Sequence, residues 1–290
     1  AKKYRIVLKL GEGETTEENI CSSGNVKYKK LKENLLALER VIVAFSGGVD
    51  STFLLWVSKE TLGENTLGVL VDLPFLPRRE REEAEKIARD LKLPLKVIEI
   101  SGEDEPLIWR NTKERCYFCK KRMMRELLAL AQKEGYAWVV DGTNQDDEGD
   151  FRPGFRATQE LGIRHPLLEV GFTKYEIREV SRELHLPTWD KPASSCLATR
   201  IPYGVEITLP LLHRIEQGEE LLHNLGFSLS RLRHHGEVAR LEISPEEFPL
   251  LLEGELRQKV VSGLQALGYT FITLDLEGYH SGSMNRLRSD

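Results

Sequence analysis

The sequence predicts an α/β fold, a parallel sheet with helices on both faces, followed by a smaller C-terminal α+β domain. Three observations carry this. Four short apolar runs, at 41–45, 67–72, 95–100 and 137–141, alternate with helical patterns near 50–60, 79–92 and 116–134, the rhythm of successive β–α–β units. The first run, Val41-Ile42-Val43-Ala44-Phe45, leads through a turn of small residues into a helix. From about residue 208 the rhythm changes to helix, strand, helix, strand. The expected division is therefore an N-terminal extension at 1–27, a main domain at 28–207 and a second domain at 208–290, the last a candidate for self-association.

Taken in order, residues 1–25 mix charge, Gly and Thr without period, and a Lys/Leu/Glu stretch at about 28–39 reads as the first helix. After the alternating region, Thr173 and Glu176 stand at capping-box spacing and start a helix that runs to about Leu184, closed by Leu186-Pro187. Residues 187–207 are rich in Pro, Ser and Gly and read as a loop. A helix near 209–225, a strand at 237–243, a helix at about 245–267 and a strand at 270–275 follow, and residues 281–290 read as a flexible tail.

The chain has 290 residues, 40% hydrophobic and 30% charged, an ordinary globular composition. A net charge of −5 argues against a surface built for nucleic acid. No apolar run approaches membrane-spanning length, and Ile6-Val7-Leu8 is too short for a signal-peptide core, so a cytoplasmic protein without a membrane partner is expected.

Ser46-Gly47-Gly48-Val49-Asp50-Ser51 is the first chemical signal. Paired glycines allow a sharp turn and close approach to a ligand, and the following helix aims free N–H groups at the same point, which suits a phosphate. No Gly-Lys-Ser/Thr follows, so this is not the common P-loop. In a parallel sheet, ligands sit at the carboxyl ends of the strands, so the loops after 45, 72, 100 and 141 should share one site. Asp72 would reach the nucleoside half of a ligand there, or merely cap a turn. Asp141-Gly142-Thr143-Asn144-Gln145-Asp146-Asp147, with Asp150, offers carboxylates suited to Mg²⁺ beside phosphates, and Arg152 and Arg156 could oppose negative charge.

Trp109 could stack on a base or plug the core. Of the four cysteines, Cys116 and Cys119 form a C-x-x-C at a helix start, Cys196 lies far downstream, and Cys21 reads as incidental. A structural zinc, a redox pair with Cys196 as nucleophile, and a [4Fe–4S] cluster on three thiolates all remain open. Arg231 and Arg233 fall on one side of a strand-like segment and could clamp a phosphate or carboxylate.

Ser46–Ser51 resembles the pyrophosphatase loop of enzymes that split ATP into AMP and pyrophosphate. Together with Trp109 to Lys121, residues 142–147, Asp150 to Gly154 and residues 194–204, it makes the chain similar to the LarE family over about 28–275. The resemblance implies a Rossmann-like sheet of the PP-loop ATP pyrophosphatase type. It also implies adenylation of a carboxylate of a pyridinium biscarboxylate mononucleotide, with sulfur then replacing AMP, toward the nickel-pincer nucleotide cofactor of lactate racemase. ATP would be bound by Ser46, Gly47, Gly48, Asp50, Ser51, Asp72, Gly142 and Thr143, with Mg²⁺ on Asp50 and Asp147. Trp109, Arg231 and Arg233 would contact substrate. One family type sacrifices a single cysteine, matched by Cys196; the other holds a [4Fe–4S] cluster on three, matched by Cys116, Cys119 and Cys196, and this sequence has all three. The expected partners are the small-molecule substrate, sulfide or a sulfur-donor system, and further copies of the chain. tRNA thiolation and a zinc-bearing nucleotide sensor are the competing readings, and nucleic acid is not expected.

Overall fold

The computed structural model describes residues 22–102, 104–147, 153–280 and 283–284. Cys21, Asp150, Phe151 and Arg152, singled out in the sequence, lie outside them.

Helix α1 (Ser22–Leu38) precedes strand β1 (Val41–Phe45), α2 (Val49–Leu62), β2 (Thr66–Asp72), α3 (Arg78–Asp90) and β3 (Leu95–Glu99). Helices α4 (Pro106–Trp109) and α5 (Arg115–Glu134) lead to β4 (Trp138–Val140), followed by α6 (Pro153–Glu160), α7 (Pro166–Glu169) and α8 (Lys174–Glu183). The four strands form one parallel sheet in the order β3-β2-β1-β4, with Val41 opposite both Thr66 and Trp138. The chain winds outward from β1 through β2 and β3, then returns to the other flank of β1. That reversal puts a crevice between the carboxyl ends of β1 and β4, where open α/β sheets take their ligands.

Period-two alternation along β1 divides the core. Val41, Val43 and Phe45 face α1, α2 and α8, packing with Leu31, Phe53 and Ile177. Ile42 faces the other side, where Met124 and Leu127 of α5 join a core that continues into the second sheet. That sheet contains β5 (Ser230–His235), β6 (Val238–Ile243) and β7 (Phe271–Leu274); β5 and β6 are antiparallel, β6 and β7 parallel. It packs on α9 (Leu209–Asn224) and α11 (Gly254–Ala266) through Leu212, Leu232 and Leu264. The parallel sheet with helices on both faces and a smaller mixed sheet is the architecture read from the sequence.

Four local expectations need correction. Helix α1 begins at Ser22, inside the segment set aside as an extension. Trp109, which follows the strand read at 95–100 where a loop is expected, sits in the short helix α4. The helix expected at about 245–267 is broken: a 3-10 turn (Pro245–Glu247), α10 (Phe248–Leu252) and α11 are separated by the extended Glu253, with Gly254 lowering the cost of the break. This lets Leu251 turn inward while α11 buries Val260 and Leu264. Ser283 and Met284, assigned to a flexible tail, are buried; Ser283 donates to Glu242 at 2.7 Å, and the Met284 sulfur accepts from Arg240 at 3.4 Å. Among the described residues no helix is long and apolar enough to cross a membrane.

Candidate active site

The turn after β1 is shaped by its own hydroxyls. Ser46 and Ser51 Oγ atoms lie 3.0 Å apart, the Ser46 amide donates to Ser51 Oγ at 3.2 Å, and the Ser51 hydroxyl donates back to Gly48 O at 3.3 Å. Gly48 is the N-cap of α2 without a side-chain cap, so the first amides of the helix remain available to an anion. Gly47 has φ +70°, and a Cβ there would come within 2.6 Å of Ala84 Cβ on α3. Gly142, after β4, brings the second loop against the first: a Cβ would sit 3.0 Å from Ser51 N and 3.1 Å from Asp50 Cβ.

Asp141 anchors that second loop. Its Oδ1 accepts from the Thr143 amide at 3.1 Å, the Thr143 hydroxyl at 2.7 Å and His165 Nδ1 at 2.7 Å, and Lys120 Nζ lies 3.1 Å from Oδ2. Burial works against its charge, but Lys120, His165 and Thr143 overcome this and hold the carboxyl well below the usual carboxylate range. The loop closes with Asn144 donating its amide to Asp147 Oδ2 at 3.0 Å.

Helix α8 supplies the opposing cation. The predicted capping box is present: Glu176 N donates to Thr173 Oγ1 at 3.3 Å and Thr173 N to Glu176 Oε2 at 2.9 Å. The cap fixes the first helical residue, Lys174, whose amide donates to Asp146 Oδ2 at 2.8 Å and whose ammonium pairs with Asp50 Oδ2. Burial raises the Asp50 pKa, Lys174 opposes it, and nearby Asp147 adds to the rise. Asp50 Oδ1 is buried and has no hydrogen-bond partner among the described residues. A free carboxylate oxygen beside Asp147 and the helix N-terminus fits the chemistry of Mg²⁺, a hard cation that takes one or two carboxylates together with phosphate oxygens.

These parts enclose a cleft of about 490 Å³, entered by Ser46, Gly48, Asp50, Asn144 and Asp147. The loops after β1, β2 and β4 contribute to it; among the described residues none of its lining comes from the loop after β3, in contrast to the four-loop expectation. Asp72 is turned to Arg78, at 3.2 Å, and to Arg81, and is absent from the cleft lining.

The cysteines close the far side. Cys119 and Cys196 line the cleft, and both line, with Cys116, Phe75, Ile108 and Met123, an adjoining cavity of about 230 Å³. Residues nearly 80 positions apart meet here because the loop carrying Cys196 is tied down on three sides. Leu197 N donates to Phe75 O at 2.8 Å, Gly204 N to Asn111 O at 3.0 Å and Ile207 N to Trp109 O at 2.7 Å. All three are free thiols. Burial, together with Cys196 and Cys116, pushes the Cys119 thiol up to about 12. The three thiols line one apolar cavity, with Arg115 and Lys120 also in its wall. Among the described residues no group of three or more His, Cys, Asp and Glu is placed to hold a metal ion.

The remaining predicted residues are spread around this centre. Trp109 donates its indole N–H to Gly102 O at 2.8 Å and packs on Phe75, ring centroids 4.9 Å apart. Arg231 borders a third cavity, of about 530 Å³, which shares Pro77, Glu80 and Ser194 with the cleft. Burial, and then the Arg200 and Arg233 charges, lower the Arg231 pKa. Arg233 is buried, bonded to Glu242 at 2.6 Å and Thr199 O at 3.2 Å. Arg156 pairs with Glu114. Sequence reasoning missed Lys174, although the capping box located it, and missed Arg200, which lies within residues 194–204.

The NAD synthase family profile matches residues 25–148, which hold the whole parallel sheet and the loops after β1 and β4. Over 261 residues the chain is 38% identical to an uncharacterized protein of Synechocystis sp., covering 90% of this chain and 97% of that one. Over 260 residues it is 35% identical to the pyridinium-3,5-bisthiocarboxylic acid mononucleotide synthase of Lactiplantibacillus plantarum, covering 89% of this chain and 94% of that enzyme. This chain belongs to the LarE family. An uncharacterized protein of Methanocaldococcus jannaschii is 33% identical to this LarE-family chain over 258 residues, covering 88% of this chain and 98% of that one. As a LarE-family member it is an enzyme of the PP-loop ATP pyrophosphatase type, a family that uses ATP with Mg²⁺.

Proposed function

We propose that this protein is a sulfur transferase that adenylates a carboxylate of pyridinium-3,5-biscarboxylic acid mononucleotide and replaces the AMP with sulfur, in biosynthesis of the nickel-pincer nucleotide cofactor of lactate racemase. The observation that carries the reading is the shared wall between the phosphate-binding cleft and the three-cysteine cavity, made by Cys119, Cys196, Phe75 and Met123. The name of the Lactiplantibacillus plantarum relative supports the substrate class.

In this reading Ser46, Gly48, Ser51 and the N-terminus of α2 bind the phosphates, with Gly47, Gly142 and Thr143 shaping the loops around them. Asp50 and Asp147 would hold Mg²⁺, which neutralises phosphate charge when bound. Lys174 opposes the same charge from α8. The substrate carboxylate attacks the α-phosphorus of ATP, pyrophosphate leaves, and the resulting acyl-adenylate faces the cysteines. Positioning and charge neutralisation supply most of the acceleration at this step. Cys116, Cys119 and Cys196 would hold a [4Fe–4S] cluster, which when bound supplies an iron position for exogenous sulfide. Arg231 and Arg233 serve the substrate from the third cavity and its neighbour, while Trp109 acts through Phe75. Asp72, held by Arg78 and Arg81, serves the nucleoside side by fixing the end of β2. Self-association through 208–290 and a cytoplasmic site of action belong to the same reading.

Anaerobic reconstitution with iron and sulfide counting tests it, together with AMP and pyrophosphate release that depends on the carboxylate substrate. Cys116→Ala and Cys119→Ala are each expected to abolish multiple turnover; undiminished turnover in either sinks the cluster reading. A second reading, sacrificial donation of sulfur by Cys196 alone, is favoured by the lack of a metal-holding group among the described residues. Mass spectrometry after turnover separates the two: conversion of Cys196 to dehydroalanine, with loss of one H₂S, supports sacrifice.

A further inference from the structure

Arg115 opens α5 one residue before Cys116 and is only 3% exposed. A guanidinium withdrawn from water requires hydrogen bonds and a counter-anion to stay charged without a large penalty. Its hydrogen bonds are met by neutral acceptors, Ala198 O at 2.9 Å and Asn111 Oδ1, and its carbon lies 5.5 Å from the Tyr203 ring centroid. The other buried arginines among the described residues have carboxylates: Arg200 pairs with Glu219 and Arg233 with Glu242. Arg115 instead has a thiol, with Cys116 Sγ 3.9 Å from Nη2, and it shares the wall of the cysteine cavity with Cys119 and Cys196. The guanidinium lines both the cysteine cavity and a neighbouring cavity of about 150 Å³ walled by Ser195, Thr199, Tyr203 and Arg233.

Asn111 fixes this cation in place. It is fully buried at φ 53°, a left-handed conformation that Asn tolerates better than most residues. Its Nδ2 donates to Pro202 O at 2.8 Å and to Ile201 O at 3.3 Å, which leaves Oδ1 directed at Arg115.

We propose that Arg115, positioned by Asn111, is the resident counter-cation of the cysteine cavity and draws a small sulfur-bearing anion of the hydrosulfide class into it. The proposal rests on reading that cavity as the sulfur-handling site. The charge does not react: it offsets the negative charge of the incoming anion, which the apolar wall of Phe75, Ile108 and Met123 would otherwise repel.

Charge-selective alkylation of the metal-free protein tests it. Iodoacetate is an anion and iodoacetamide is neutral, and both lose iodide to the same thiolate, so the ratio of their rates at one pH cancels the thiolate fraction. Rates are read by mass spectrometry on the peptides carrying Cys116, Cys119 and Cys196. The wild-type ratio is expected to exceed that of glutathione, and Arg115→Gln to lower it about tenfold, the scale of one charge-assisted contact. Arg115→Lys, which retains the charge, should recover most of it. A wild-type ratio no higher than that of glutathione overturns the proposal whether or not the glutamine variant folds. So does an unchanged ratio in a folded Arg115→Gln, or an equal slowing of both reagents, which marks a purely structural role. Iron and sulfide content of reconstituted wild type judges the cluster reading separately, so an unchanged ratio with normal loading overturns the Arg115 proposal alone.

Discussion

Arg200 and Glu219 meet in a two-pronged ion pair, Nε to Oε1 at 2.9 Å and Nη2 to Oε2 at 3.0 Å, and through it helix α9 holds the loop that carries Cys196. The remaining nitrogen of Arg200 donates to Ser195 O at 2.9 Å and Cys196 O at 3.1 Å. Burial disfavours the Arg200 charge, yet Glu219 keeps its pKa above the ordinary value. The second sheet is thereby coupled to the cysteine cavity.

Replacing Glu219 with Gln is expected to leave the buried Arg200 charge uncompensated and to lower unfolding free energy by about 3 kcal/mol, typical of breaking one side of a buried pair. Urea denaturation measures this as a lower midpoint at unchanged slope. A loss under about 1 kcal/mol would show that water reaches the pair and that the loop is held by its backbone bonds alone.

Gly47→Ala and Gly142→Ala are expected to cut ATP affinity at least about tenfold, one factor of about 1.4 kcal/mol, for different reasons. At Gly47 the new methyl adds a left-handed penalty of roughly 1–2 kcal/mol to a 2.6 Å approach to Ala84, so the loop must move. At Gly142 the backbone is unstrained, but a Cβ 3.0 Å from Ser51 N forces the two loops apart. Isothermal titration with ATP and Mg²⁺ checks both. Gly162→Ala is not an equivalent control, since its φ of +68° is strained although nothing lies within 4 Å of the added atom; Gly254→Ala, in open space, is the better one.

Asp50 gives a pH signature. Burial holds its folded pKa above 3.8, so the folded protein without metal keeps the proton to higher pH than the unfolded chain does. In that state Asp50 makes the fold more stable as pH falls through the raised value, and its ionised form carries a penalty above it. Mg²⁺ needs the carboxylate, so Mg²⁺-dependent ATP binding should weaken as pH falls through the raised value. Lys174→Met removes the cation that opposes the rise and should shift this weakening to higher pH. Binding titrations from pH 5 to 8 measure the shift; identical profiles for the two proteins would mean that Lys174 does not act on Asp50.

The sheet was legible because its signal is local: β1 shows apolar residues on both faces, and the turn after it consists of residues chosen for backbone shape. The capping box at Thr173 and Glu176 was legible for the same reason. The broken helix near Glu253 was not, since periodicity ran through it and the break answers to where Leu251 and Leu264 find the core. The cysteines could be named but not brought together by pattern alone. Their meeting depends on backbone bonds from the Cys196 loop to Phe75, Asn111 and Trp109, long-range contacts that no spacing encodes. Arg115 and Arg200 were hidden likewise: an arginine in a sequence gives no sign of whether its partner is a carboxylate, a thiol or water.

Asp141 links the loop after β4 to helix α5, which carries Cys116 and Cys119, and its removal should register at both. In the wild type its depressed pKa means that the ionised form adds stability at pH values above the ordinary 3.8. That contribution is lost as pH falls through the lower folded value. Asp141→Asn keeps the shape but removes the partner of Lys120, 3.1 Å away, and weakens the 2.7 Å bond from His165. The variant is expected to be about 3 kcal/mol less stable at pH 7, with the gap from wild type closing in acid below pH 3.8 because wild type then loses the same interaction. Urea unfolding across that range measures the gap. A gap independent of pH would mean that the loss comes from packing and not from the charge of Asp141.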